Sequence, residues 1–319
     1  VMINKVTKRI RMQDFSWDLG PCDKVLDAAT GELLPANLVK EGREKEMQQM
    51  RKHAVWELTP EKEAVGGKKV RLKWVDLRRG DEVRSRLVAM EVAYDFRPES
   101  ETFAGTPPLS IIRLLISIAA TGAMEGPSAM LITIYDVSCA FLHSLIDELI
   151  WIRLPPGLGP AGYVGKLLKS MYGTRRASLL WGEHVGKTFT NKEFQRAKGC
   201  GQLYYGKTKN TTCGVHGDDF LSVANKEDSL WMDKFMDSSF DTKRKYVIGP
   251  GHGTMAQYLH RIIIYRPGWG FEYMSDPKHV QLAAEALGLN DTKAVPTPEV
   301  RDKPTRSEAL DLPPKDEAA

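Results

Sequence analysis

The stretches that decide the fold are MLITIYDVSCAFLH at residues 130–143 and TTCGVHGDDFLSVA at residues 211–224. The first opens with a continuous apolar run of strand length, residues 130–137, which predicts a buried strand. The second has apolar residues on both sides of Gly217-Asp218-Asp219, which predicts a β-hairpin with its turn at or near these residues. Asp136 thus lies at the end of one predicted strand, and Asp218 and Asp219 lie at the tip of a predicted hairpin.

These three carboxylates need compensation, because charged groups avoid apolar strands. Two adjacent carboxylates at a tight turn repel each other, and a divalent cation relieves that repulsion. If the two strands lie side by side in one sheet, Asp136 and Asp218 converge. Carboxylates from separate strands then hold Mg²⁺ ions that bind a triphosphate and activate a hydroxyl for in-line attack. The alternative is that Asp218-Asp219 makes only a solvated turn.

Outward from this centre, the sequence predicts alternating helices and strands. Residues 68–94 are basic and strand-rich, with a hairpin turn at Arg79-Gly80-Asp81. Helices are predicted at residues 41–53, after a Ser110 cap, at residues 179–189, after Asn225, and from Asp276-Pro277 to Gly288. We expect residues 1–40 to be a loosely organised N-terminal extension, residues 41–298 to be the main domain, and the Pro-rich, charged residues 299–319 to be a disordered tail or linker.

The composition is that of a globular protein, with 319 residues of which 42% are hydrophobic and 27% are charged. A net charge of +4 is compatible with a nucleic-acid partner without establishing one. The four cysteines are scattered, which predicts free thiols and a reducing compartment. No run of 18 apolar residues occurs, so we predict no membrane span and no membrane partner. The chain begins with Val1 rather than Met, as expected for a piece of a longer product or a trimmed chain.

Nine motifs, in family order, resemble those of copia-type retrotransposon reverse transcriptases and run from about residue 46 to residue 298. They are EMQQMRKHAVWELTP (46–60) beside the family's EMDALEKNGTWELVP, RSRLVAMEV (84–92) beside KARLVARGF, ETFAGTPPLSIIRLLISIAA (101–120) beside ETFAPTPPLSSIRLLLSLAA, YDVSCAFLH (135–143) beside LDVKTAFLNG, LPPGL (154–158) beside RPPPGF, KLLKSMYGTRRASLLWGEHV (166–185) beside RLKKALYGLRQAPRLWYEHL, VHGDDFLSVA (215–224) beside YVDDLLIAG, YLHRIII (258–264) beside FLGIEI, and AEALGLNDTKAVPTP (284–298) beside LLERFGMSDCKPVSTP. Any one motif is weak, but nine in order are strong.

The resemblance implies an α+β fold: a polymerase palm with a ferredoxin-like antiparallel sheet and helices, strand-rich fingers, and a small helical start of a thumb or connection. It implies an RNA-directed DNA polymerase that uses Mg²⁺ (or Mn²⁺), deoxynucleoside triphosphates and an RNA or DNA template-primer. Other segments of a Pol polyprotein, such as integrase and RNase H, are expected outside this chain. The expected location is the cytoplasm, in virus-like particles, or the nucleus, or both.

Residue by residue, the resemblance makes Asp136, Asp218 and Asp219 the catalytic carboxylates and metal ligands. Asp136 and Asp218 would be the principal ligands, and Val137 joins the metal-binding set. The nucleotide-binding set is Arg84 and Arg86 toward the triphosphate, Phe141 toward the sugar 2′ position, and Arg176, beside Arg175, near nucleotide and template. The bland alternatives are a core aromatic for Phe141 and a solvated strand face for the arginines.

The chain departs from the motifs near its centre. His216-Gly217 replaces the Tyr-Val that precedes the paired aspartates, which puts primer positioning in doubt, and Gly217 adds flexibility there. His143-Ser144 replaces Asn-Gly, and Arg176 replaces Gln. Two other function classes stay open. These departures are typical of a catalytically degenerate remnant that keeps the fold and some nucleic-acid binding. An unrelated metal-dependent phosphohydrolase requires the motif matches to be chance.

Competing motifs are weaker. GLGPAG at residues 157–162 fits GxGxxG, but prolines before and inside it disfavour a dinucleotide site. Cys200, Cys213 and His216 fit no standard zinc-finger spacing. Cys139 has no obvious neighbouring base and is expected to be a small buried residue.

Overall fold

The computed structural model describes residues 9–91, 107–122, 126, 128–274 and 277–289. The α-helices are α1 (Ala36–Lys52), α2 (Leu109–Thr121), α3 (Ala177–Thr190), α4 (Lys226–Ser239) and α5 (Pro277–Ala286). The strands are β1 (Ile10–Arg11), β2 (Trp56–Pro60), β3 (Lys68–Arg79), β4 (Glu82–Ala89), β5 (Met130–Val137), β6 (Ile150–Arg153), β7 (Tyr163–Leu167), β8 (Phe194–Arg196), β9 (Leu203–Gly206), β10 (Thr211–His216), β11 (Asp219–Asn225), β12 (Thr242–Ile248), β13 (Met255–Tyr258), β14 (Arg261–Arg266) and β15 (Gly270–Met274).

The chain divides into two compact units, Val1–Met274 and Ser275–Ala319. All the sheets belong to the first unit, and α5 belongs to the second. Among the helices in the described ranges, none combines the length and the apolar character needed to cross a bilayer. The predicted tail at residues 299–319 and the start of the motif at residues 101–106 lie outside the described residues.

The sheet that carries the decisive stretches has the order β12-β5-β11-β10-β9-β8, with antiparallel neighbours throughout. Four strands of this sheet and two helices occur along the chain in the order β5, α3, β10, β11, α4 and β12, with other strands between some of them. Their order in the chain and in the sheet is that of a ferredoxin-like unit. The predicted α+β fold with a ferredoxin-like antiparallel sheet is therefore confirmed. The predicted strand at residues 130–137 coincides with β5, and the predicted hairpin is β10–β11.

Both faces of this sheet are covered, which explains the continuous apolar run in β5. Tyr135, Val137 and Phe220 point to one face, where they join a cluster of buried residues with α3 and α4. Ile134 and Leu221 point to the other face, where they join the buried face of α2. Successive side chains of a strand alternate between faces, so only a strand covered on both sides tolerates apolar residues at every position.

The second six-stranded sheet has the order β1-β2-β7-β6-β3-β4, with α1 packed against β4. It supplies the predicted strand-rich part, and its β3–β4 hairpin turns at Gly80, where φ is +61° as predicted for a turn. Helix α1 comes very close to β4 because Gly42 has no side chain. A Cβ there would lie 2.4 Å from the Val83 carbonyl oxygen. A third sheet has the order β13-β14-β15.

Several predicted boundaries need correction. Helix α1 begins at Ala36, not at residue 41, because Pro35 fixes an N-cap backbone and Val39 is buried in the first helical turns. Ser110 does not cap α2, since Pro108 occupies the N-cap position and the helix begins at Leu109. Asn225 does cap α4, and its side chain accepts a hydrogen bond of 2.9 Å from the Asp228 N–H.

Candidate active site

The ends of β5 and β11 place the three predicted carboxylates at one edge of the sheet, although among the described residues their ligand atoms do not form a group within 4.8 Å of one another. Asp136 and Asp219 are direct partners across the antiparallel ladder, so their side chains leave the same face of the sheet side by side. Asp218 lies in the adjoining turn, and its carbonyl oxygen accepts a hydrogen bond of 2.9 Å from the Val137 N–H. Asp136 and Asp219 are half-buried, whereas Asp218 is exposed.

The turn that carries Asp218 is held from behind by α3. Gly217 has a φ of +64°, which glycine adopts without strain. The buried Trp181 donates its indole N–H to the Gly217 carbonyl oxygen at 2.7 Å. The sequence predicts Trp181 as a core residue only. The structure adds that its polar edge fixes the turn, and this hydrogen bond limits the flexibility expected of Gly217.

The carboxylates open into a cavity of about 810 Å³ between the two six-stranded sheets. Of the predicted site residues, it is lined by Arg84, Arg86, Asp136, Val137, Asp218 and Asp219. The sequence did not single out further polar residues in its lining, among them Glu46, Gln48, Gln49, Tyr172, Lys243 and Gln257. The volume lies in the range of pockets that hold small-molecule ligands.

The basic side of the cavity comes from β4. Arg84 is exposed. Its pKa is lowered from the ordinary value, mainly because part of its side chain is buried and, to a smaller extent, because Arg86 lies nearby. Asp218 acts in the opposite direction on the same guanidinium and keeps its charged form favourable. Arg84 thus presents positive charge to the cavity close to the carboxylates.

Arg86 is fixed rather than free. Its Nη1 lies 2.9 Å from Oε2 of Glu46, whose side chain is fully buried, and its guanidinium lies 5.3 Å from the centre of the Tyr172 ring. Burial, the largest single cause, lowers the pKa of Arg86, but Glu46, Tyr172 and Cys139 together outweigh it and the net shift is upward. The pair gives the cavity a rigid, charged wall.

Tyr172 reaches the cavity because Gly173 follows it. Gly173 has a φ of +82°, and a Cβ there would lie 2.0 Å from the Ala89 carbonyl oxygen. The close approach lets the Ala89 N–H donate to the Tyr172 carbonyl oxygen at 2.7 Å. The Tyr-Gly pair of the motif at residues 166–185 therefore locks the segment before α3 onto the end of β4.

Two predicted site residues do not line the cavity. Phe141 packs edge-on against Tyr172, with 5.4 Å between the ring centres, and so lies one side chain behind the wall. Arg176 contacts acidic residues instead: its Nη2 lies 2.7 Å from Asp147 Oδ2, and its Nε lies 3.7 Å from Glu148 Oε1. Their predicted nucleotide-binding roles stay predictions.

The donor set at the end of β5 suits a hard divalent cation. Carboxylate oxygens are the ligands that Mg²⁺ prefers, and the valine can offer only its main-chain carbonyl oxygen. Within the ranges that the structure describes, neither Asp136 nor Asp218 forms a salt bridge with a cationic side chain. Neighbouring carboxylates without such a partner repel each other, and a bound cation would relieve this repulsion.

The weaker motifs have structural roles. Residues 157–162 connect β6 to β7 and precede no helix, which excludes a dinucleotide fingerprint there. Cys139 is buried with a φ of +53°, and burial raises the pKa of its thiol, so it is not an activated nucleophile. Among the described residues, Cys200, Cys213 and His216 form no metal-ligand cluster, whereas His53, His143 and Asp241 do.

Comparisons with known proteins match residues 53–250 to the family model "Reverse transcriptase (RNA-dependent DNA polymerase)". The putative transposon Ty5-1 protein YCL074W of Saccharomyces cerevisiae is 30% identical over 174 residues, 53% of this chain and 54% of that protein. The retrovirus-related Pol polyprotein from transposon TNT 1-94 of Nicotiana tabacum is 25% identical over 277 residues, 82% of this chain and 20% of that protein. The chain thus spans about half of the first relative and a fifth of the second. A telomerase structure from Candida albicans, in complex with a fragment of telomeric RNA, has a TM-score of 0.44 at 10% identity and covers 79% of this chain and 52% of that one.

Proposed function

Because the chain belongs to the reverse transcriptase (RNA-dependent DNA polymerase) family, we propose that it extends a primer on an RNA or DNA template. The resemblance to copia-type retrotransposon enzymes is confirmed by this membership together with the two transposon relatives. The observation that carries the proposal is that Asp136, Asp218 and Asp219 line one cavity together with Arg84.

Asp136, Asp218 and Asp219, with the carbonyl oxygen of Val137, would hold Mg²⁺ or Mn²⁺. The bound ions would bind the triphosphate and lower the pKa of the primer hydroxyl. The remaining chemistry is positioning and charge neutralisation, which this chain's own residues supply.

The basic residues of the cavity would bind the triphosphate. Arg84 and Lys243 are exposed and line the cavity, so both can neutralise the negative charge that develops on the leaving pyrophosphate. Arg86 is paired with Glu46 and therefore acts as a rigid wall against which Tyr172 is set. Phe141 supports Tyr172 from behind, which is how we propose that it acts on the sugar position.

The partners follow from this reaction. We propose deoxynucleoside triphosphates and a template-primer as ligands, and integrase and RNase H segments of a Pol polyprotein as neighbours outside this chain. We propose residues 41–298 as the polymerase region and residues 299–319 as a linker. Of the extension at residues 1–40, β1 pairs with β2 and the last residues begin α1, so this part packs on the polymerase region. We propose the cytoplasm or the nucleus as the site of action.

The test is primer extension on poly(rA)/oligo(dT) with Mg²⁺ or Mn²⁺, comparing the unchanged chain with Asp218→Asn. The matched control is Asp23→Asn, since Asp23 is an exposed aspartate that does not line the cavity. We expect incorporation by the unchanged chain and the control, and its loss in Asp218→Asn. A folded chain that binds template-primer in a salt-dependent way but incorporates nothing would overturn the proposal in favour of the degenerate remnant. Nucleotide hydrolysis without a primer would favour the phosphohydrolase.

A further inference from the structure

Three side chains outside the cavity form a second candidate metal site. His53 directly follows α1, His143 ends a short 3-10 helix that follows β5, and Asp241 directly precedes β12. One ligand atom of each lies within 4.8 Å of the other two. We propose that this triad binds one transition-metal ion, Zn²⁺ foremost, independently of the carboxylates of the cavity.

The spacing between His53 and Asp241 is that of two ligands sharing an ion. His53 Nε2 lies 3.2 Å from Asp241 Oδ2, and the His53 side chain is only 10% exposed. Nε2 is nevertheless buried without a hydrogen-bond partner, so the two atoms approach without the alignment of a hydrogen bond. Two ligands about 2.0–2.1 Å from a tetrahedral Zn²⁺ stand roughly 3.3 Å apart, which matches the observed separation.

His143 is oriented as a metal ligand usually is. Its Nε2 lies 3.3 Å from the Ser138 carbonyl oxygen, which leaves Nδ1 to bind the ion. A second hydrogen bond of this kind fixes the ring and the tautomer of histidines that ligate metals.

The competing interpretation is a plain ionic contact, because Lys52 Nζ lies 2.6 Å from the same Asp241 oxygen. The Lys52 side chain is 56% exposed and can turn into solvent, whereas the buried His53 cannot. The ammonium and the metal ion therefore compete for one carboxylate. This competition distinguishes the two interpretations, since removing Lys52 strengthens metal binding and weakens a purely ionic contact.

A metal bound here would join segments that are far apart in the chain. It would tie the end of α1, which packs on the second sheet, to the segment that follows Asp136 and to the start of β12. The Asp241 carbonyl oxygen already accepts a hydrogen bond of 2.8 Å from the Ser138 N–H. The ion would thus act as a structural clamp beside the polymerase carboxylates rather than as a reactant.

The experiment is a titration of EDTA-treated protein with Zn²⁺, followed by thermal unfolding, and with Co²⁺, followed by its visible absorption spectrum. Excess Mg²⁺ is present throughout, so that any divalent-cation binding at the carboxylates of the cavity is saturated. His53→Asn and His143→Asn are the test variants, because the resembling motifs carry Asn at both positions and the fold should accept it. The matched control is His252→Asn, an exposed histidine elsewhere.

We expect one ion per chain, a rise in melting temperature with Zn²⁺, and a tetrahedral Co²⁺ spectrum. Each test variant should bind at least about tenfold more weakly, the double variant should not bind, and Lys52→Met should bind more tightly. Equal Zn²⁺ binding by the double variant and by His252→Asn would overturn the proposal. So would the absence of binding at micromolar Zn²⁺ in both the unchanged chain and Lys52→Met.

Discussion

The hydrogen bond from Trp181 to the turn of the β10–β11 hairpin gives the sharpest prediction about activity. Trp181→Phe keeps an aromatic ring beside Phe220 and Phe240, which the indole now meets at 6.4 and 5.5 Å between ring centres. It removes the N–H that Gly217 accepts at 2.7 Å. The carbonyl at the turn then loses its indole partner, and the turn that carries Asp218 is held by the hairpin ladder and by the hydrogen bond from the Val137 N–H.

The cost to folding follows from two losses. The lost hydrogen bond costs about 0.5–1.5 kcal/mol, because the acceptor residue Gly217 is exposed and water can take the place of the indole N–H. The smaller ring leaves a gap in a well-packed cluster, which adds about 1 kcal/mol. We therefore expect the free energy of unfolding to fall by about 1.5–2.5 kcal/mol. Incorporation per folded molecule should fall more steeply, because a displacement of about 1 Å at a catalytic group costs on the order of a hundredfold in rate.

The measurements are urea unfolding and single-nucleotide incorporation at saturating template-primer, both normalised to folded protein. The matched control is Trp231→Phe on α4, an indole that stacks on Phe235 at 5.9 Å and lies away from the turn. The reasoning is refuted if the two variants lose stability alike and incorporate nucleotide at the same rate. A second readout, Mn²⁺ affinity of the cavity, should weaken in Trp181→Phe alone.

Three further outcomes follow from contacts described above. Gly173→Ala should lower the free energy of unfolding in urea by more than about 3 kcal/mol, because its Cβ would lie 2.0 Å from the Ala89 carbonyl oxygen at a φ of +82°. The control Gly126→Ala has a φ of +81° but open space around the Cβ, so it should cost clearly less. Arg86→Met should cost about 3–5 kcal/mol by leaving Glu46 buried and unpaired, and adding Glu46→Gln should recover part of that loss in the same assay. Backbone N–H groups, first that of Arg78, lower the pKa of Asp27 in the folded protein. The ionised Asp27 therefore stabilises the fold above the unfolded-state pKa, and this stabilisation is lost as the pH falls through the folded-state pKa. In thermal melts between pH 7 and pH 3, the melting temperature of Asp27→Asn should therefore fall less steeply with acid than that of the unchanged chain.

Local chemistry explains which elements the sequence predicted. The apolar run of β5, the Gly217 turn and the Asn225 cap are each decided within a few residues, and all three were predicted correctly. The start of α1 was missed because Pro35 and the burial of Val39 against distant residues decide it. The sequence predicts Ser110 as the cap of α2, and this prediction is wrong because Pro108 already sets the backbone of the N-cap.

The same distinction holds for the cavity and the histidine cluster. The carboxylates carried a sequence signal because charge at the end of an apolar strand is costly. Tyr172 and Lys243 carried none, since each reaches the cavity only through tertiary packing. His53, His143 and Asp241 lie in three distant segments, and only the folded chain brings them within reach of one ion.

The order of strands has a consequence for how the chain can be divided. The second six-stranded sheet takes β1 to β4 from before β5 but β6 and β7 from after it, and β6 pairs in parallel with β3, Ile150 opposite Lys68. Neither sheet is therefore contiguous in the sequence, and each must close a loop around part of the other. Such a topology has a high contact order, which favours slow folding. It also means that a copy interrupted between β5 and β6 would divide both sheets at once, so neither piece should fold as an independent half.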